Sequence, residues 1–77
     1  MRIIDTIEHP ILRISIFEMN QKYIVKFELG ALEQSYKFSE LDIINLEILK
    51  ADVAEKIIPN ALLRFEEMQN DLNNCLG

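Results

Sequence analysis

Two short turns, Asn20-Gln21 and Gly30-Ala31, constrain this chain more than any other feature. Each sets a strand register, and both select the same face of the strand between them. Gly30 stands where a two-residue type II′ hairpin loop needs a positive φ. With Gly30-Ala31 as the loop, Leu29 faces Leu32, Phe27 faces Gln34, Val25 faces Tyr36 and Tyr23 faces Phe38. Seven of those eight residues are apolar or aromatic. With Asn20-Gln21 as the preceding loop, Val25 faces Ile16, Phe27 faces Ile14 and Leu29 faces Leu12. A slip of one residue in either hairpin would send these side chains to the wrong side. Asn-Gln is a poorer turn than Asn-Gly, so the first hairpin has room for a longer loop or a bulge. The reading is a three-stranded antiparallel meander with strands at 11–19, 22–29 and 32–38.

The opposite parity carries Arg13, Ser15, Phe17, Lys22, Ile24, Lys26, Glu28, Glu33, Ser35 and Lys37. Arg13 faces Glu28, a favourable cross-strand pair. Glu28 also faces Glu33, which requires Arg13 or Lys26 to intervene. Ile11, Phe17, Met19 and Ile24 make this outer face partly apolar. They are either scattered surface hydrophobes or a contact patch for a second subunit or a partner.

The segment before the sheet is less determined. Ile3, Ile4 and Ile7 fit a short edge strand or a tuck against the sheet end. Pro10 lacks an N–H and belongs before the first strand or at its start. His9 is biased towards extended backbone by that proline. As a general base it would need a partner that the sequence does not supply. Gln34, the one polar inward residue of its strand, is expected to hydrogen-bond to backbone or water.

After Ser39-Glu40 the periodicity changes. Leu46, Leu49, Val53 and Ile57 recur at spacings of three and four, which predicts a helix over 45–57. Asn45 is its N-cap, with Glu47 in the first turn. The alternation of Ile44, Leu46 and Ile48 is the rival reading, a fourth strand. Asp52 and Glu55 match a capping box and offer a later start. A second stripe, Ala54, Ile58, Ala61, Phe65, Met68, Leu72 and Cys75, passes through Pro59. Proline suits a first turn and disrupts an interior. The expectation is therefore a break or kink near Ile58-Pro59 and a main helix over 59–75. Asn73, Asn74 and Gly77 suit a fraying end.

The stripe Ala61, Leu62, Phe65, Met68, Leu72 and Leu76 is expected to cover the inward sheet face. That gives one α+β domain over 1–77, with β-β-β-α-α order and two layers. Cys75 continues the stripe as a small buried hydrophobe. Arg64, Glu66, Glu67, Asn70 and Asp71 form the solvated, acidic side of the helix. The order of three strands and a helix is similar to the double-stranded-RNA-binding domain. This chain lacks that domain's first helix and its basic cluster, so no binding residue carries over.

Charge and composition narrow the function classes. The 77 residues include 13 acidic and 8 basic ones, for a net charge of −5. Lys22, Lys26 and Lys37 are the only basic grouping, and Glu28 and Glu33 dilute it, which argues against nucleic acid. The single cysteine rules out an intrachain disulfide and fits a reducing compartment. No signal peptide and no membrane span is read, so the expected location is cytoplasmic. One His and one Cys far apart do not make a zinc site. Two glycines do not build a phosphate-cradling loop. No cofactor, metal or catalytic constellation is legible, and the reading is non-enzymatic.

The expected function is a small protein-interaction or structural domain, possible as a homodimer. Its contact surface would be the outer sheet face around Ile11, Phe17, Met19 and Ile24. The alternative is an acidic regulator or adaptor that docks on a basic partner through Glu66, Glu67 and Asp71; a third, less favoured reading is nucleic-acid binding through Lys22, Lys26 and Lys37. The sequence names neither the partner nor the process.

Overall fold

The computed structural model describes residues 2–76. Gly77, read above as part of a fraying end, lies outside the described residues. Four strands form one antiparallel sheet in the order β1-β2-β3-β4. They are β1 (Arg2–Ile7), β2 (Arg13–Met19), β3 (Lys22–Leu29) and β4 (Leu32–Ser39). A 3-10 turn (Glu40–Asp42) leads to α1 (Leu46–Asp52), a π-helical turn (Val53–Ile57) and α2 (Ile58–Leu76).

Both hairpin registers are those the turns dictate. Val25 pairs with Ile16 and Phe27 with Ile14. Across the next hairpin, Val25 pairs with Tyr36, Phe27 with Gln34 and Leu29 with Leu32. Asn20 and Gln21 both adopt positive φ, 51° and 62°. The first loop is therefore a two-residue turn with both central residues left-handed, as the type I′ geometry demands. Gly30 sits at φ 60°, in the left-handed region that L side chains avoid.

The expected three-stranded meander is corrected to four strands, because the N-terminal segment forms an edge strand. The first hairpin strand starts at Arg13 rather than residue 11. His9 explains the boundary. Its Nδ1 accepts the N–H groups of Ile11 and Leu12, each at 3.1 Å, and so closes the connection between β1 and β2. Strand β1 contains an irregularity: Ile3 faces Phe17 while Asp5 faces Ile16, so Ile4 is an extra residue. Such a bulge re-aims the side chains that follow it. Here it lets Ile4 and Ile7 both reach the core and turns Asp5 towards the helix. There the Asp5 carboxylate meets Lys50 Nζ at 2.9 Å.

The expected pair of helices, with a break or kink near Ile58-Pro59, is corrected to one helix. Residues 46–76 form one continuous helix. The π turn lies immediately before Pro59, and the Ile58 N–H reaches back five residues to the Val53 carbonyl. A proline ring crowds the carbonyl four residues earlier and offers no N–H. Widening one turn accommodates both defects without ending the helix. Asn60 Nδ2 adds a side-chain donor to the Lys56 carbonyl at 3.3 Å. The insertion also advances the buried stripe by one residue. Leu49 and Val53 are buried before it, and Ile58, Ala61 and Phe65 after it. Ala54, placed in the stripe by spacing, is exposed. Asn45 caps α1 as expected, accepting the Ile48 N–H at 2.9 Å.

The core lies between the inner sheet face and this helix. Ile14, Ile16, Val25 and Phe27 from the sheet meet Leu49, Val53, Ile58, Ala61 and Phe65. Phe27 and Tyr36 pack edge to face with ring centroids 6.1 Å apart. Gln34 bonds to backbone as expected: its Nε2 donates to the Ala61 carbonyl at 3.0 Å. Arg64 then donates to Gln34 Oε1 and to the Tyr36 hydroxyl, tying the helix to β4.

The helix outruns the sheet. At ~1.5 Å per residue, residues 46–76 span about 45 Å, whereas an eight-residue strand spans about 26 Å. Met68 is the last helical residue packed on the core. Leu72 is only half-buried, and Leu76 is 78% exposed. Cys75, expected to be buried, is exposed for the same reason.

Candidate interaction surfaces

The sheet gives its outer face one apolar row. Ile3, Phe17 and Ile24 are directly opposite one another on β1, β2 and β3, and Lys37 ends the row on β4. Ile24 is buried and forms the floor of this spot, while Phe17 is half-buried. Met19 stands beside Phe17 at the rim, exposed. Lys26 Nζ lies 5.9 Å from the centre of the Phe17 ring. Ile11 is not part of this spot. It is exposed, and Arg13 and Ser15 separate it from Phe17 on the same face. Ile3 was not among the expected contact residues; only the pairing of β1 could add it.

The charges of this face are partly spent internally. Lys26 bridges to Glu33 at 3.0 Å, which raises the lysine pKa through a hydrogen bond and the adjacent negative charge. That bridge relieves the Glu28–Glu33 pairing, as the sequence requires. It also takes Lys26 out of the Lys22, Lys26 and Lys37 grouping.

A second surface lies where the helix begins. A groove of about 330 Å³ runs between the end of β4 and the first turns of the helix. Ile48, Leu49, Asp52, Val53, Lys56 and Ile57 form the helical wall. Phe38, Asp42, Ile43 and Ile44 form the other wall. Its rim is conspicuously apolar: Ile44 is 86% exposed and Ile48 45%. Leu41, next to the rim in sequence, is 95% exposed. Sequence reasoning missed this groove. The available signal was the alternation of Ile44, Leu46 and Ile48, which fits a strand equally well. In the structure Leu46 packs on the core, while its two neighbours in the alternation flank the groove.

The third surface is the end of α2. Glu66, Glu67 and Asp71 are exposed there, and no basic residue follows Arg64.

Two electrostatic sites brace the fold around these surfaces. The hydrogen bond from Lys50, with another from the Thr6 N–H at 2.8 Å, keeps the Asp5 carboxyl below its ordinary pKa. The same contact raises Lys50. Beside the Asn20-Gln21 turn, Glu40 faces Glu18. A hydrogen bond between two carboxyl groups needs a proton on one of them. That contact, with burial and the charge of Glu18, raises the Glu40 pKa. Glu40 Oε1 is buried without a hydrogen-bond partner. Glu18 also receives Arg2 at 3.3 Å.

Among the described residues, no three His, Cys, Asp or Glu side chains are placed to hold a metal ion. Among the described residues, no helix is long and apolar enough to cross a membrane. No protein-family model matches the chain, and neither a curated protein nor a solved structure matches it.

Proposed function

We propose that this chain is a small, non-enzymatic interaction domain that pairs with a second copy of itself through the outer sheet face. One observation carries the reading. The apolar row Ile3–Phe17–Ile24 crosses three strands, on the face opposite the helix. The surrounding charges have both signs, with Lys22 and Lys37 near the row and Glu28 and Glu33 further along. A two-fold contact sets a surface against itself, so it needs both signs on one patch. Small domains often gain by such pairing, since a short chain buries a limited share of its own surface.

Light scattering on a sizing column, across a range of concentrations, tests this. A dimer mass for the native chain and a monomer mass for a folded Phe17→Lys variant are expected. A native chain that stays monomeric throughout refutes the pairing.

A second reading has its own support. Leu72 and Leu76 lie beyond the sheet, with only acidic charge beside them. That suits a regulator or adaptor docking on a basic partner. Binding of this kind weakens steeply with salt, whereas the apolar sheet contact does not.

A further inference from the structure

The groove at the head of the helix is not used by either surface above. It faces away from the outer sheet row, and it is far along the helix from Glu66, Glu67 and Asp71. We propose that it is a docking site for a basic peptide segment of another protein, anchored by a large apolar side chain.

The anchor follows from the lining. Phe38, Ile43, Leu49, Val53 and Ile57 give an apolar floor and walls, and the volume lies in the range of pockets that take a ligand group. Ile44 and Ile48 project at the rim, so an inserted side chain would bury apolar surface on both partners. The π turn forms part of one wall. It displaces Val53, Lys56 and Ile57 from regular helical spacing, and turns of this kind often accompany binding sites.

The basic character follows from the charges around the groove. Asp42 and Asp52 line it, and Lys56 is the one cation in the lining. The local cations are already engaged. Lys50 is held by Asp5 at 2.9 Å and Lys56 by Asp52 at 3.6 Å. Among the described residues, Asp42 has no ion-pair partner, so the lining keeps one uncompensated negative charge. An apolar rim under a net negative field selects an apolar side chain flanked by Lys or Arg. A second copy of this chain fits poorly, because two such rims would bring acid against acid.

The test uses the full chain, labelled with 15N, and a short synthetic Leu/Lys peptide. A Leu/Glu peptide of the same pattern serves as the comparison. The Leu/Lys peptide is expected to shift the amide signals of Ile44, Ile48, Asp52 and Val53 in a saturable way. The Leu/Glu peptide is expected to leave them in place. Ile44→Ser with Ile48→Ser removes the rim without touching the core and should weaken binding about tenfold or more. Phe17→Ser, on the other face, should not change it. Shifts confined to the region of Glu66–Asp71 would overturn the assignment, as would equal binding of the Leu/Glu peptide. Groove signals that move on simple dilution of the protein would identify a second copy as the occupant and also refute it. No saturable shift at all refutes the site, and leaves the sheet-face pairing to its own experiment.

Discussion

Truncating the two phenylalanines of β2 and β3 should separate the inner sheet face from the outer one. Phe27 is fully buried and packs edge to face on Tyr36. Phe27→Ala should cost about 3–5 kcal/mol, from lost transfer energy and the cavity left behind. A chain of this length has a total stability of about 4–12 kcal/mol. The variant should therefore lose at least about a quarter of that stability. Phe17 is half-buried on the outer face, with Lys26 over its ring. Half the burial of a Phe side chain is worth about 1 kcal/mol, and an exposed cation–π contact adds ~0.5 kcal/mol. Phe17→Ala should cost about 1–1.5 kcal/mol in a single chain. Urea unfolding followed by circular dichroism measures both, at several protein concentrations. A second copy covering the outer face would raise the Phe17→Ala cost and make the native midpoint depend on concentration. A cost below about 1.5 kcal/mol for Phe27→Ala would refute the packing argument, since no relaxation recovers that much of a fully buried ring.

Deleting Ala54 should convert the π turn to regular helix but strand Pro59 in an α-helical interior, costing about 3 kcal/mol. The same deletion combined with Pro59→Ala should regain most of that loss, as thermal melts would read. Stability should also respond to pH in two opposed ways. The raised Glu40 value contributes stability that is present below the ordinary glutamate pKa and lost as pH rises through the folded value. The lowered Asp5 value contributes stability that is present above the ordinary aspartate pKa and lost as pH falls through the folded one. Urea midpoints should therefore rise on mild acidification from neutral pH and fall again in stronger acid. Glu40→Gln should flatten the first limb and Asp5→Asn the second; an unchanged first limb in Glu40→Gln would contradict the Glu18–Glu40 contact.

The two hairpins, the face that Val25 and Phe27 bury, the N-cap at Asn45 and the bond-seeking role of Gln34 are all legible in the chain's residue order. Each depends on contacts local in sequence or on strict strand alternation, so a few residues suffice to fix it. The π turn was half legible. The stripes Leu49–Val53–Ile57 and Ile58–Ala61–Phe65 are out of phase by one residue, and Pro59 follows the join. A helix can end there or absorb the extra residue, and packing on the sheet favours continuation. The rest depends on contacts between elements far apart in the chain. The bulge at Ile4 recruits β1 and places Ile3 beside Phe17, because pairing with β2 satisfies backbone groups that a lone segment leaves to water. The length of the sheet, not the periodicity of the helix, decides that Leu72, Cys75 and Leu76 stay uncovered. The groove beside Ile44 and Ile48 exists because the end of β4, the segment through Ile43 and Ile44 and the first turns of the helix meet around it, a relation between elements that no local pattern encodes.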